Sequence, residues 1–242
     1  MPHLESWQWM LGATCAFFVG VAKTGVPGLG AMVVPLMVFA IGDARYSAGY
    51  LLPVLITADL FAVYYWRKHA SAWKLFSLAP WVLLGLAGGA LALNLDERYI
   101  RPMVALIVLA MMAVYLWRQH VRKGIDVHPH PVLYGGLAGF ATTVANAAGP
   151  VMNLYLLSKR LSKEEFIATG AWFFFFVNLT KVPVYLYHGI ITRPSLTYDL
   201  MMVPAVVAGA LAGRWVVRHI APKTFEILVV AMTLISSLLL LR

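Results

Sequence analysis

The apolar run that opens near Trp7 is interrupted at VAKTGVPGLGAMVVPLM, residues 21–37, where Lys23, Thr24, Gly25, Pro27, Gly28 and Gly30 crowd together. A polar, proline-bearing and glycine-rich stretch of this kind does not build an unbroken membrane helix. A second apolar run is broken in the matching place of the other half, at ATTVANAAGPVMNLYLL, residues 141–157. Paired interruptions in two halves of a membrane chain point to a binding site assembled from broken helices.

The membrane assignment rests on composition. Apolar residues fill 61% of the 242 positions and charged residues only 12%, where a soluble domain carries roughly a quarter charged. The apolar residues come in runs near the ~20 needed to cross a bilayer, not in amphipathic stripes. The net charge of +9 sits in short clusters between those runs, the pattern of topology signals and not of nucleic-acid binding. Cys15 is the single cysteine, so no intrachain disulfide forms. The N-terminus lacks the basic start and cleavage site of a signal peptide, and Trp7 and Trp9 read as interfacial anchors.

Shifting the sequence by 119 superposes Gly20 on Gly139, Thr24 on Thr143, Gly30 on Gly149, Asp59 on Asn178 and His69 on His188. A shift of 124 superposes Pro80 on Pro204, Gly85 on Gly209 and Gly89 on Gly213. The chain therefore reads as one duplicated unit. The first repeat, 1–120, holds a hairpin at 7–41 and helices at 46–66, 74–93 and 100–118. A basic linker at 121–131 joins it to the second repeat, 132–242, with a hairpin at 132–158 and helices at 166–187, 197–217 and 222–241.

Segments 29–41, 132–144 and 150–158 would cover only about 14–20 Å as helices, short of a ~30 Å hydrocarbon core. Each pair is either one broken crossing helix or a re-entrant hairpin. Hairpins with an outside N-terminus put Arg67, Lys68 and Lys74 inside, with Arg118, Arg122, Lys123, Lys159, Arg160, Lys163, Arg214, Arg218 and Lys223. Single broken helices would move the clusters at 159–163 and 214–223 outside. The positive-inside rule favours hairpins, and with them an all-α polytopic protein of two inverted repeats.

Non-helical backbone at membrane depth must line protein or a wet cavity. The second arm of each hairpin would start at its tip, with Pro27, Gly28 and Gly30 in one first turn and Gly149-Pro150 in the other. Such starts offer free N–H groups and a positive dipole end to an anion. Lys23 adds a full charge; Thr24, Thr142, Thr143, Asn146 and Asn153 add neutral donors. Small-residue packing between helices is the competing use of the glycines. Asp59, inside an apolar helix, should face the interior as a coupling proton or sodium carrier or as a lysine's partner. Asn178 and Lys181 project from one face of their helix, with snorkelling to the surface the alternative for the lysine. Trp172 and Phe173 to Phe176 read as lipid or packing surface. His128 and His130 lack a third ligand for a metal. No phosphate loop, zinc motif or nucleophile–base set is present, so neither a cofactor nor an enzyme is expected.

The two-repeat layout, TGVPGLGAMVVP closing at Pro35, its weaker second copy, and the N-x-x-K of Asn178 and Lys181 before HGIIT at 188–192 resemble the sulfite exporter TauE/SafE family of membrane permeases. The likeness covers about 10 to 240. It implies a transporter of small sulfur-containing or carboxylate anions in the bacterial inner membrane. Departures fall at the expected site: Pro27, Leu29 and Ala31 interrupt the family's glycine run, and VANAAGPVMN keeps few glycines. The expectation is a secondary transporter binding a small anion between the two tips near the midplane, in the lipid bilayer, as a monomer or a homo-oligomer. An anion channel, a membrane enzyme and an assembly subunit are the rival classes.

Overall fold

In the computed structural model the described residues are 4–70, 75–92, 97–121, 130–145 and 148–239. Among them are ten α-helices and no strand. In chain order these are α1 (Ser6–Thr24), α2 (Gly30–Ile41), α3 (Ala44–Trp66), α4 (Ala79–Ala92), α5 (Glu97–Val121), α6 (Pro131–Ala145), α7 (Ala148–Ser158), α8 (Lys163–Tyr187), α9 (Arg193–His219) and α10 (Pro222–Leu239). Arg67–His69 adds a 3-10 turn after α3. Four stretches are long and apolar enough to cross a membrane: Tyr46–His69, Lys163–Tyr187, Arg193–His219 and Pro222–Leu239. The chain is thus a multi-pass, all-helical membrane protein. The span expected at 74–93 corresponds to α4, whose 14 residues make about 21 Å of helix.

Both expected interruptions are present. At the first, Gly28 has φ 102°, a left-handed value that an α-helix cannot contain. Pro27 and Gly28 therefore lie in the turn before α2, not in its first turn as their sequence suggests. Gln8 donates to Ala40 O at 2.6 Å, which sets the end of α2 beside the start of α1, so the chain doubles back. The second interruption separates α6 from α7. Tyr134, near the start of α6, meets Tyr155, near the end of α7, at 5.6 Å between rings, and this pair doubles back too. Pro150 falls in the first turn of α7, where a missing N–H costs nothing.

The helices gather into two compact units, each drawing on both halves of the sequence: residues 1–70 with 163–221, and 71–162 with 222–242. In the first, α1, α2, α3, α8 and α9 surround a core of Cys15, Ala16, Val19, Val33, Met37, Leu51, Val54, Ala58, Tyr198, Met202 and Val206. Its closest crossing is α1 on α9. A Cβ on Gly20 would run into Val206 O and the Ala210 amide, and one on Gly209 into the Phe17 carbonyl. In the second unit α6 crosses α4 in the same way. A Cβ on Gly139 would meet Val82 O and the Leu86 amide, and one on Gly85 the Gly136 carbonyl. Glycine lets these backbones touch, which is how helices associate where no hydrophobic effect drives them. Close packing is thus the use of Gly20, Gly85, Gly139 and Gly209, which flank or lie outside the two interruptions.

Candidate functional site

Lys23 lies in the last turn of α1. Thr24, the next residue, accepts a hydrogen bond from the Trp66 indole at 3.2 Å through its carbonyl. The tip of the first hairpin is therefore level with the last turn of α3. From there the Lys23 side chain reaches back to Asp59, with Nζ 2.8 Å from Oδ1. The other carboxylate oxygen accepts from Asn178 Nδ2 of α8 at 2.7 Å. Asp59 is completely buried, and Asn178 and Lys181 are nearly so. Lys181, one turn along α8 from Asn178, lies within electrostatic reach of both Lys23 and Asp59.

A carboxylate removed from water is tolerable only when paired and hydrogen-bonded, and Asp59 has a cation on one oxygen and an amide on the other. Among the described residues the cluster gathers two lysines around one carboxylate. Phe174 supports the first of them: its ring centre lies 4.2 Å from Lys23 Nζ, a cation–π contact. The reading of Phe173 to Phe176 as plain surface misses this role. The available signal is spacing, since Phe174, Asn178 and Lys181 are four and three residues apart on one helical face.

The other expected donors sit elsewhere. Thr24 aims its hydroxyl at Gly20 O (2.9 Å) and Ala210 O (2.7 Å); Thr143 aims its own at Gly139 O (2.9 Å) and Leu86 O (3.5 Å). Both are engaged inside their crossings. Asn153 donates to Thr233 of α10 at 3.0 Å, and Thr142 is buried in α6. Gly30 opens α2, and a Cβ there would make only ordinary contact with Ala22, the neighbour of Lys23. Leu29, its N-cap, provides no side-chain hydrogen bond, so the first N–H groups of α2 are not taken by a cap. Asn146 lies outside the described residues, as does most of the basic linker. Among the described residues no group of three or more His, Cys, Asp or Glu gathers as a metal site would require.

Neither a curated protein nor a solved structure matches the chain. The family model described as "Sulfite exporter TauE/SafE" matches residues 12–240, nearly the full length. With its long apolar helices, its paired broken segments and its buried ions, the chain belongs to the TauE/SafE family, a family of membrane transporters and not of enzymes.

Proposed function

We propose that the protein is a secondary transporter for a small anion, sulfite or an organosulfonate or a related carboxylate, in a bacterial inner membrane with its N-terminus outside. The observation that carries this is the buried Lys23–Asp59–Asn178–Lys181 cluster, which gathers two lysines around one carboxylate. Two basic groups brought together in a low-dielectric interior repel when charged, and a bound anion would relieve that cost. Asp59 holds Lys23 in place, Asn178 fixes the carboxylate, and the uncapped start of α2 beside Ala22 adds N–H donors. Lys23 retains 13% side-chain exposure, which leaves its ammonium reachable.

Inverted repeats are part of this reading. Asp59 and Asn178 coincide under the 119-residue shift, and they are hydrogen-bonded to each other. Their helices run in opposite directions: Gly49 near the start of α3 lies against Ile190, just past the end of α8. Two equivalent residues that touch across antiparallel helices are what a two-fold axis in the membrane plane would produce.

The test is a ligand-stabilisation and proteoliposome-uptake screen of sulfite, sulfonates, sulfate and small carboxylates, repeated with Lys181→Met. An anion should raise the melting temperature of the wild-type protein and accumulate against its gradient, and the variant should lose both responses. Stabilisation by cations alone would overturn the assignment; flux without uphill accumulation would make the protein a channel.

A further inference from the structure

A second carboxylate is buried in the same unit without any of the support that Asp59 enjoys. Asp199, two turns into α9, is 7% exposed. Neither of its oxygens accepts a hydrogen bond or an ion pair among the described residues. It belongs to none of the contacts invoked for the anion. The helices packed most closely on α9 are α1 and α3, with Met37 of α2 against Tyr198. The titratable groups that face it are Tyr50 of α3 and Tyr198 of its own helix, with Cys15 of α1 facing Tyr198. The Tyr198 hydroxyl is directed at the Met37 sulfur, 3.8 Å away. The Trp9 and Tyr50 rings pack on Tyr198 at 5.2 and 5.1 Å. Among the described residues Asp199 is thus set beside aromatic and aliphatic groups, with no cation paired to it.

An isolated carboxylate deep in protein has few ways to persist. It can hold a metal ion, pair with a base, or take up a proton. A hard cation such as sodium is held by several oxygens, and among the described residues Asp199 belongs to no group of three or more His, Cys, Asp or Glu. Among the described residues no basic side chain pairs with it. A proton meets the need with no further ligand. We propose that Asp199 is a proton-binding site of this transporter, loaded from water on one side of the membrane and emptied during the transport cycle. In the loading step one carboxylate oxygen forms an O–H bond with a proton taken from hydronium, leaving water; unloading reverses it. Tyr50 is half-buried and within electrostatic reach of Asp199.

The site is separate from the anion cluster. Tyr50 marks its level on α3, and Asp59 lies nine residues farther along that helix, or about 13 Å. A proton at one place and an anion at the other would be linked through movement of the helices they share, α1 and α3. The link to flux rests on the anion-transport reading above; the protonation does not.

The experiment is infrared difference spectroscopy on full-length protein in liposomes, stepped from neutral to alkaline buffer. The wild type should show a carboxylic-acid carbonyl band that bleaches on alkalinisation. Asp199→Asn should lose that band, Asp199→Glu should retain it at a shifted frequency, and exposed Asp43→Asn should leave it unchanged. A band that persists in Asp199→Asn, or none in the wild type, overturns the site. A flux arm with sulfite as the probe separates the two readings. Wild-type sulfite flux should accelerate under an imposed pH gradient, and Asp199→Asn should lose the acceleration while retaining sulfite–sulfite exchange. Acceleration undiminished in Asp199→Asn overturns the coupling role. If wild-type protein moves no sulfite but shows the Asp199-dependent band, the transport reading fails and the proton site stands.

Discussion

The α1–α9 crossing and the α6–α4 crossing are built alike and loaded differently. Gly20 meets Val206 and Ala210 as Gly139 meets Val82 and Leu86. Thr24 directs its hydroxyl to Ala210 O as Thr143 does to Leu86 O. These pairs coincide under the shifts of 119 and 124. Yet the position that holds Lys23 in one crossing holds Thr142 in the other, and Asp59 is answered by the neutral Asn178. The shared part is what lets two helix backbones touch. The unshared part is charge: Lys23 and Asp59 lie in the first half of the chain, and Lys181 in the second. Two crossings built alike can therefore differ in the charge they carry.

The sharpest way to break this comparison is to remove the charge. Lys23→Met removes the ion pair to Asp59 Oδ1, and losing one partner of a buried pair costs about 3–5 kcal/mol. Thr142→Met, its counterpart, removes no ionic partner and should cost much less. The double variant Lys23→Met/Asp59→Leu should recover most of the stability while remaining silent to anions. Denaturant or thermal unfolding in detergent measures all three. Equal losses from Lys23→Met and Thr142→Met would show that the asymmetry has no energetic meaning.

The glycines test the shared part. A methyl group at Gly20 or Gly139 must displace backbone on the facing helix, not a flexible side chain. Gly20→Ala and Gly139→Ala should each destabilise by about 1–3 kcal/mol, the usual cost of overpacking. Gly149→Ala is the control, since a Cβ there meets nothing within 4 Å, and thermal unfolding should register little change. If the control loses as much as Gly20→Ala, close packing is not what these glycines supply.

These two levels differ in how far the sequence exposes them. Hydropathy and the run of Gly and Pro locate both interruptions, because a left-handed glycine and a proline act locally. Register under the shift pairs Asp59 with Asn178, and the structure hydrogen-bonds them. Which helix packs on which is a different matter. α1 packs on α9 from the other half, and apolar periodicity carries no information about partners. The engagement of Thr24 and Thr143 by carbonyls of a facing helix was hidden for the same reason. Asp199 was hidden by its position: an acid two turns from a helix end reads as interfacial until the burial around it is seen.

The smallest difference between the crossings is also the most discriminating. Thr24 Oγ1 is 2.7 Å from the facing carbonyl of Ala210, whereas Thr143 Oγ1 is 3.5 Å from that of Leu86. At 3.5 Å a hydroxyl contributes little directional energy, while interhelical hydrogen bonds in membranes average only ~0.6 kcal/mol even when well formed. Thr→Val preserves shape and removes the donor. Thr24→Val should therefore cost about 0.5–1.5 kcal/mol, and Thr143→Val should stay within error of the wild type. The Trp66 bond to the Thr24 carbonyl survives the change, so tryptophan fluorescence should not move and the loss can be assigned to the hydroxyl. Matching losses at both positions would mean that the two crossings close to the same distance, and that the first is no tighter for carrying the charge.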